Sequence, residues 1–195
     1  MTLDTYLIIG LGNPGRDYLN NRHNIGFMLI DRLAVRLNAQ KIRLQSKAIV
    51  TSAIEADNKV ILAKPQTYMN LSGQSIQGLV KFYKLPLDRM LVAHDDLDLP
   101  FGTLRLRPGG GPGGQRGMAS TIDYLGTQVF PRLRLGIGRP PGRMDPAAYV
   151  LQDFSRKEKE LLPEILDRSV EAVLCLISQD LDAAMNKFNR EPDNS

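Results

Sequence analysis

Continuous apolar runs along the chain alternate with segments in which apolar residues recur every three or four positions. The runs predict strands, whereas the second pattern predicts amphipathic helices. The predicted strands cover residues 5–11, 48–56, 59–64, 90–94, 103–107 (an edge strand) and 133–138. The predicted helices begin near Ile25, cover Ile76–Tyr83 and 118–126, and follow Ser155. Strands alternating with helices favour an α/β fold whose mixed central sheet carries helices on both faces.

No linker or internal repeat divides this pattern. We therefore expect a single α/β domain over residues 1–188, followed by a polar C-terminal tail over 189–195. Ser155 and Glu158 have the spacing of a capping box at the start of the C-terminal helical region. Pro163 lies inside that region, and it predicts the first turn of a new helix because proline is tolerated there and not mid-helix.

The apolar runs are all too short to cross a bilayer, which needs about 18 residues or more, so no membrane is expected. MTLDTYLIIG enters a strand without a basic n-region, and we expect no signal peptide. The single cysteine, Cys175, excludes an internal disulfide, and its apolar surroundings predict a buried structural thiol. These features are typical of a protein of the reducing cytoplasm.

Positive charge is concentrated in residues 101–145, which hold seven arginines, no lysine and two aspartates. This segment is therefore +5, and the rest of a chain whose total is +4 is −1. A solvated basic face would account for this, but a polyanionic partner is favoured because arginine suits bidentate contacts to phosphate.

Two glycine-rich stretches resemble phosphate loops but lack their context. GLGNPG (10–15) matches G-x-G-x-x-G, yet nine mostly polar residues separate it from the helix that should start within it, so a dinucleotide site is disfavoured. RPGGGPGGQRG (107–117) lacks the lysine and hydroxyl of a P-loop. The chain also has no G-x-S-x-G nucleophile elbow.

Only two histidines, His23 and His94, could serve as bases near neutral pH. His94 ends a strand, where a buried structural ring is an equally good interpretation. His23 lies in a polar loop, and strand ends should bring it near the carboxylates of HDDLD (94–98) and the amide of Asn70. A histidine base, a carboxylate and amide donors predict a hydrolase that activates water without a metal. Two histidines and no usable cysteine disfavour zinc.

Three segments together make the chain similar to a known family. They are IIGLGNPGRDYLNNRHNIGF, KPQTYMNLSG and LVAHDDLDLPFGTLRLRPGGGPGG. Over nearly its whole length the chain resembles bacterial peptidyl-tRNA hydrolases. The resemblance implies a monomeric, cofactor-free, single-domain α/β enzyme that cleaves the ester joining a peptide to the 3′ end of tRNA.

The resemblance also implies roles for individual residues. His23 is expected to be the general base and Asp95 its orienting partner. Asn13 and Asn70 would bind substrate, Asn13 by testing whether the amino group is acylated. Further expected contacts are two tyrosines that line the groove for the tRNA end and two arginines that hold the tRNA 5′-phosphate: Tyr18, Tyr68, Arg107 and Arg134.

The chain departs from the family at residues 115 and 116. Relatives usually have Gly-Gly-His-Asn-Gly where this chain has Gly-Gly-Gln-Arg-Gly. Arg116 takes the place of a substrate-binding asparagine and can donate to a phosphate or carbonyl but cannot accept. This difference motivates a second hypothesis, a non-catalytic RNA-binding relative of the same fold, against which the intact His23 and Asp95 argue.

Overall fold

The computed structural model describes residues 4–190, which form one mixed sheet with helices on both of its faces. The strands are β1 Thr5–Gly10, β2 Gln40–Gln45, β3 Ala48–Glu55, β4 Asn58–Pro65, β5 Met90–Asp96, β6 Leu104–Arg107 and β7 Arg132–Gly136. The helices are α1 Ile25–Arg36, α2 Ser72–Tyr83, α3 Arg116–Leu125, α4 Pro146–Val150, α5 Arg156–Ser178 and α6 Leu181–Phe188.

The strand order is β2-β3-β4-β1-β5-β7-β6. β1 pairs in parallel with β4 and β5, and β5 pairs in parallel with β7, whereas the outer pairs are antiparallel. Successive residues of β1 face opposite sides, so Ile8 packs under α1 and α5 while Leu7 and Ile9 pack under α2 and α3. The predicted fold class is confirmed, and β6 is at an edge as expected.

Close packing accounts for Gly10 and Gly12 of GLGNPG, and a positive φ of 113° accounts for Gly15. A Cβ at Gly10 would lie 2.0 Å from the carbonyl oxygen of Gly26, and one at Gly26 would lie 2.6 Å from the backbone of Leu11. The end of β1 therefore presses directly on the first turn of α1. α1 begins at Ile25, where the sequence predicted it.

β2 was not predicted, and the turns around β3 explain why. Ser46 and Lys47, with φ of 48° and 58°, join β2 to β3, and Ala56 and Asp57 join β3 to β4 with similar angles. Such two-residue turns usually carry Asn-Gly or Asp-Gly, so the first hairpin gave no signal. The Asp57-Asn58 dipeptide between the predicted strands 48–56 and 59–64 favours a turn, and the observed turn at Ala56 and Asp57 lies one residue earlier. The apolar side chains of β2 are exposed, so no buried face marked it.

The prediction that Pro163 begins a new helix is wrong, because α5 continues through it from Arg156 to Ser178. Pro163 is exposed, so water can satisfy the carbonyl that loses its intrahelical bond. Burial of the helix's apolar stripe, at about 1.5–3 kcal/mol per fully buried side chain, outweighs the roughly 3 kcal/mol cost of a mid-helix proline. That stripe includes Leu166, Val170, Val173, Leu174 and Ile177.

Two other predictions for the C-terminal region, the capping box and the buried cysteine, are confirmed. Ser155 and Glu158 form the capping box, and Cys175 is buried on α5. Of the predicted tail, Asn189 is tied to Leu106 of β6 by bonds to both its backbone N–H (2.7 Å) and its carbonyl (3.0 Å). Residues 191–195 lie outside the described residues, and the boundary at 188 stays a prediction. Over residues 4–190, no helix has the length and apolarity needed to cross a membrane.

Candidate active site

The carboxyl ends of the central parallel strands open onto a cavity of about 630 Å³. This edge is where α/β sheets bind ligands, because the connections after adjacent strands diverge there. Polar side chains from four separate segments of the chain converge on it. They are Asn13, His23, Asn70, Asp95, Gln115 and Arg116.

His23 and Asp95 form a buried pair at the floor of this cavity. His23 Nδ1 lies 2.8 Å from Asp95 Oδ2, and the two residues are 9% and 3% exposed. With Asp95 ionised, Nδ1 is the donor, so the lone pair of the neutral ring is on Nε2. The pair therefore fixes the tautomer that a general base requires.

The turn that carries His23 is anchored on both sides. His23 lies in a 3-10 turn, Arg22–Asn24, that runs into α1. Asn24 exchanges two hydrogen bonds with the backbone of Asn13, at 2.8 and 2.9 Å. On the other side, buried Arg22 donates to the carbonyl of Asp153 at 2.9 Å and to Glu158 at 2.7 Å. His23 is thus held between the loop after β1 and the start of α5.

The side chain of Asn13 has a defined orientation. Its Oδ1 accepts the backbone N–H of Met69 at 2.8 Å, so Nδ2 is the end left to donate to a ligand in the cavity. The same bond holds Met69 and Asn70 near the site. Asn70 is exposed at the rim, and next to it the ring of Tyr68 is 60% exposed.

Gln115 is a site residue that sequence reasoning did not select. Its Nε2 donates to Asp95 Oδ1 at 3.0 Å, and its Oε1 accepts the N–H of Met118 at 2.8 Å, which caps α3. Gln115 is 8% exposed. The sequence offered one indication of this role. Gln115 stands between the glycines of residues 109–114 and the predicted helix, and glutamine is unusual at a helix N-terminus.

A second cavity of about 490 Å³ lies on the other side of the glycine loop. Arg107 and Arg134 line it together with Arg132 and His94. Arg107 is exposed, and the Nε of Arg134 donates to Asp96 Oδ2 at 2.6 Å. The two cavities share Asp96 and Gly113.

Arg132 is buried beneath the glycine loop and holds it. Its guanidinium donates to the carbonyls of Gly110 at 2.6 Å and Gln128 at 2.8 Å. Burial, and then the neighbouring Arg134, lower the pKa of Arg132. Carbonyl dipoles, not a carboxylate, solvate this cation, so the second cavity stays positively charged.

His94 belongs to this second cavity and not to the first. Its Nδ1 donates to the carbonyl of Asp95 at 2.8 Å, and its Nε2 is buried without a partner among the described residues. Burial lowers the pKa of His94, which keeps the ring neutral near pH 7. Of the two candidate bases, only His23 faces Asn13 and Asn70. Within residues 4–190, no cluster of three or more potential metal-ligating side chains occurs.

Sequence comparison identifies the family. The family model described as peptidyl-tRNA hydrolase matches residues 7–195. The peptidyl-tRNA hydrolase of Chloroflexus aggregans is 49% identical over 185 residues, with 94% of this chain and 98% of the relative covered. That of Desulforamulus reducens is 51% identical over 186 residues, with 95% and 89% covered. The chain belongs to the peptidyl-tRNA hydrolase family.

Solved structures agree with this assignment. A crystal structure of peptidyl-tRNA hydrolase from Acinetobacter baumannii superposes with a TM-score of 0.89 at 34% identity, covering 97% of both chains. A Campylobacter jejuni 5′-methylthioadenosine/S-adenosyl homocysteine nucleosidase superposes with a TM-score of 0.57 at 10% identity, which is a likeness of fold alone.

The residues singled out by resemblance to peptidyl-tRNA hydrolases divide between the cavities. Asn13, His23, Tyr68, Asn70, Asp95 and Arg116 line the first, whereas Arg107 and Arg134 line the second. Tyr18 lines neither; it is half-buried in the turn Arg16–Tyr18. Arg116 is exposed at the first turn of α3.

Proposed function

We propose that this member of the peptidyl-tRNA hydrolase family cleaves the ester between peptide and tRNA with a water molecule activated by His23. The observation that carries the proposal is the 2.8 Å bond between His23 Nδ1 and Asp95 Oδ2 inside the larger cavity. Family membership supplies the substrate, and the geometry supplies a base with a defined tautomer.

In the proposed reaction, His23 Nε2 takes a proton from water as the oxygen attacks the ester carbonyl. The resulting imidazolium is stabilised by Asp95, and it returns the proton to the 3′ oxygen of tRNA as the C–O bond breaks. Water is consumed, and the products are the peptide's carboxyl group and free tRNA. Asn70 would hold the peptide near this water.

Asn13 provides a way to distinguish substrates. Its Nδ2 is a donor, and a donor can bind the carbonyl of an acylated amino group. A free α-ammonium presents only donors, so it would leave this amide without an acceptor. Peptidyl-tRNA would therefore bind and aminoacyl-tRNA would be spared. The exposed ring of Tyr68 is placed to stack on a base or on the peptide, and Arg116 to donate to a phosphate or carbonyl.

The second cavity suits the tRNA 5′-phosphate. Arg107 and Arg134 line it, and the buried charge of Arg132 adds to their field. A terminal phosphate carries more charge than a backbone phosphate, so these cations would favour the end of the acceptor stem. Arg134 is already paired with Asp96, so we assign the larger share of the phosphate contact to Arg107.

We further propose that the protein acts in the cytoplasm as a monomer formed by the single domain 1–188. The buried, unpaired Cys175 is compatible with a reducing compartment. Light scattering of the purified protein, alone and with tRNA, measures the oligomeric state directly. A dimeric mass in both samples would contradict the proposal.

Hydrolysis of N-acetylated aminoacyl-tRNA tests the enzymatic function. Wild-type protein is expected to release the acetylated amino acid, whereas His23→Ala should bind the tRNA and cleave at least a hundredfold more slowly. The same tRNA with a free amino group should resist both proteins. If wild type and variant are equally inert while both bind tRNA, the protein is instead a non-catalytic RNA-binding relative.

A further inference from the structure

The side-chain amide of Gln115 contacts the proposed catalytic pair through the second carboxylate oxygen of Asp95. Asp95 uses Oδ2 for His23, and its Oδ1 accepts the Nε2 of Gln115 at 3.0 Å. Both carboxylate oxygens are therefore held, one by the base and one by a neutral amide. A buried carboxylate with one oxygen unsatisfied could rotate and lose the Nδ1 bond.

The orientation of the Gln115 amide is fixed by the protein. Oε1 accepts the Met118 N–H at 2.8 Å, and this acceptor role identifies it as the oxygen. Nε2 must then face Asp95, and it also lies 3.2 Å from the sulfur of Met69. A Cβ at Gly117 would lie 2.5 Å from that sulfur and 3.0 Å from Oε1, so glycine is required there.

We infer that Gln115 is a positioning residue for the reaction: it locks the Asp95 carboxylate against His23 with a donor that does not titrate. This inference rests on the proposed function. The amide oxygen caps α3, and the amide nitrogen orients Asp95. The position of the Asp95 carboxylate, and through it that of His23, is therefore fixed relative to α3. Gln115 does not contact substrate in this role.

Two substitutions separate the cap from the contact to Asp95. Gln115→Ser keeps a good N-cap acceptor but cannot reach the carboxylate. Gln115→Glu keeps the length and the acceptor for Met118 but places a second carboxyl against Asp95, so the cluster of His23, Asp95 and residue 115 gains negative charge when that carboxyl ionises. Gln179→Ser, on an exposed glutamine at the end of α5, is the matched control.

In the N-acetylated aminoacyl-tRNA assay, Gln115→Ser should lower kcat about tenfold with KM nearly unchanged, because a hydrogen bond to a charged group is lost from behind the base. The thermal unfolding temperature should fall modestly, because Asp95 loses one hydrogen bond while the cap of α3 is kept. Gln179→Ser should match wild type in both measurements. A purely structural cap predicts wild-type kcat for Gln115→Ser, and that result would overturn the inference.

Gln115→Glu should move the acidic limb of the pH–rate profile to higher pH by about one unit, because added negative charge favours the protonated imidazole. The charged or titratable groups that line this cavity are His23, Tyr68, Asp95, Asp96, Asp98, Arg116, Arg139 and Asp145. All of them are the same in wild type and variant, so the substitution changes the charge at residue 115 only.

The chain has only two histidines, so an NMR titration of the imidazole protons reports the same effect without substrate. In Gln115→Glu the midpoint of His23 should move to higher pH more than that of His94. An unmoved His23 midpoint refutes the inference whether or not the ester is cleaved. Conversely, if the wild type cleaves no ester while the His23 midpoint still moves in Gln115→Glu, that result contradicts the proposed function alone.

Discussion

Arg22 holds the turn before α1 that carries the proposed base, and we expect its replacement to be among the most damaging outside the cavity. Arg22 is 6% exposed. Its guanidinium lies 2.7 Å from Glu158 Oε2, 2.9 Å from the carbonyl of Asp153 and 4.2 Å from the centre of the Tyr149 ring. These contacts join the His23 turn to the start of α5.

Arg22→Met keeps most of the side chain's volume and removes all of the polar contacts. Breaking a buried ion pair costs about 3–5 kcal/mol because the remaining charge is left without a partner. Glu158 retains some exposure and its bonds to Ser155, so we expect the lower end, about 3 kcal/mol. The kcat for N-acetylated aminoacyl-tRNA should fall as well, since residue 23 follows directly.

Urea unfolding, monitored by circular dichroism, measures the loss of free energy of unfolding in Arg22→Met. A double-mutant cycle with Glu158→Gln, which preserves the capping box, should give a coupling free energy of about 2 kcal/mol. Arg32→Met is the matched control because the Arg32–Asp167 pair has a similar 2.6 Å separation but is exposed on both sides. It should change the free energy of unfolding little.

The coupling free energy between Arg22 and Glu158 should become smaller at low pH. Burial opposes ionisation of Glu158, but the hydrogen bonds from Ser155 and Arg22 outweigh it and lower the pKa of the carboxyl. A carboxyl whose pKa is lower in the folded state stabilises the fold above its unfolded pKa of about 4.3. That stabilisation is lost as pH falls through the folded value. Equal coupling at pH 7 and at about pH 3, or additive single effects at pH 7, would refute this account of Arg22.

Three further predictions concern the proposed catalytic pair, the second cavity and α5. Asp95→Asn should lower kcat about a thousandfold, because an amide donating to Nδ1 favours the tautomer that leaves Nε2 protonated; kcat within tenfold of wild type would contradict this. Filter binding with tRNA at several salt concentrations measures the slope of the log binding constant against log salt concentration. Arg107→Ala should reduce the magnitude of this slope by about one, and Arg134→Ala should reduce it by less. Unchanged slopes in both variants would mean that neither arginine contacts phosphate. Pro163→Ala should stabilise the protein by about 1–3 kcal/mol in urea unfolding, and a loss of stability would mean that the proline has a packing role.

The sequence predicted the fold well where burial governs local structure. β1 and β5 are continuous apolar runs because both of their faces are covered, and α1 shows its stripe because only one face is. β2 escaped prediction because backbone pairing and not side-chain burial holds it in place. The prediction at Pro163 was wrong because helix propensity is a local property of the sequence. The burial that keeps α5 continuous comes from the sheet on which the helix packs.

The proposed site was predictable in its chemistry but not in its connections. His23 and Asp95 were selected as base and partner, and they meet at 2.8 Å. Gln115 was passed over because its contacts to Asp95 and Met118 depend on how the glycine loop folds back, which no spacing reveals. Tyr18 was selected by resemblance alone, and it lines neither cavity.

The end of β5 accounts for the closeness of the two proposed subsites. Consecutive side chains of a strand point to opposite faces, so His94 lines the second cavity while Asp95 points to His23. Asp96 borders both cavities and pairs with Arg134. The separation between the two cavities is therefore set by three consecutive residues of a buried strand. Such a spacing favours a substrate that carries both groups at one end, as a tRNA acceptor arm carries the 3′ ester and the 5′-phosphate.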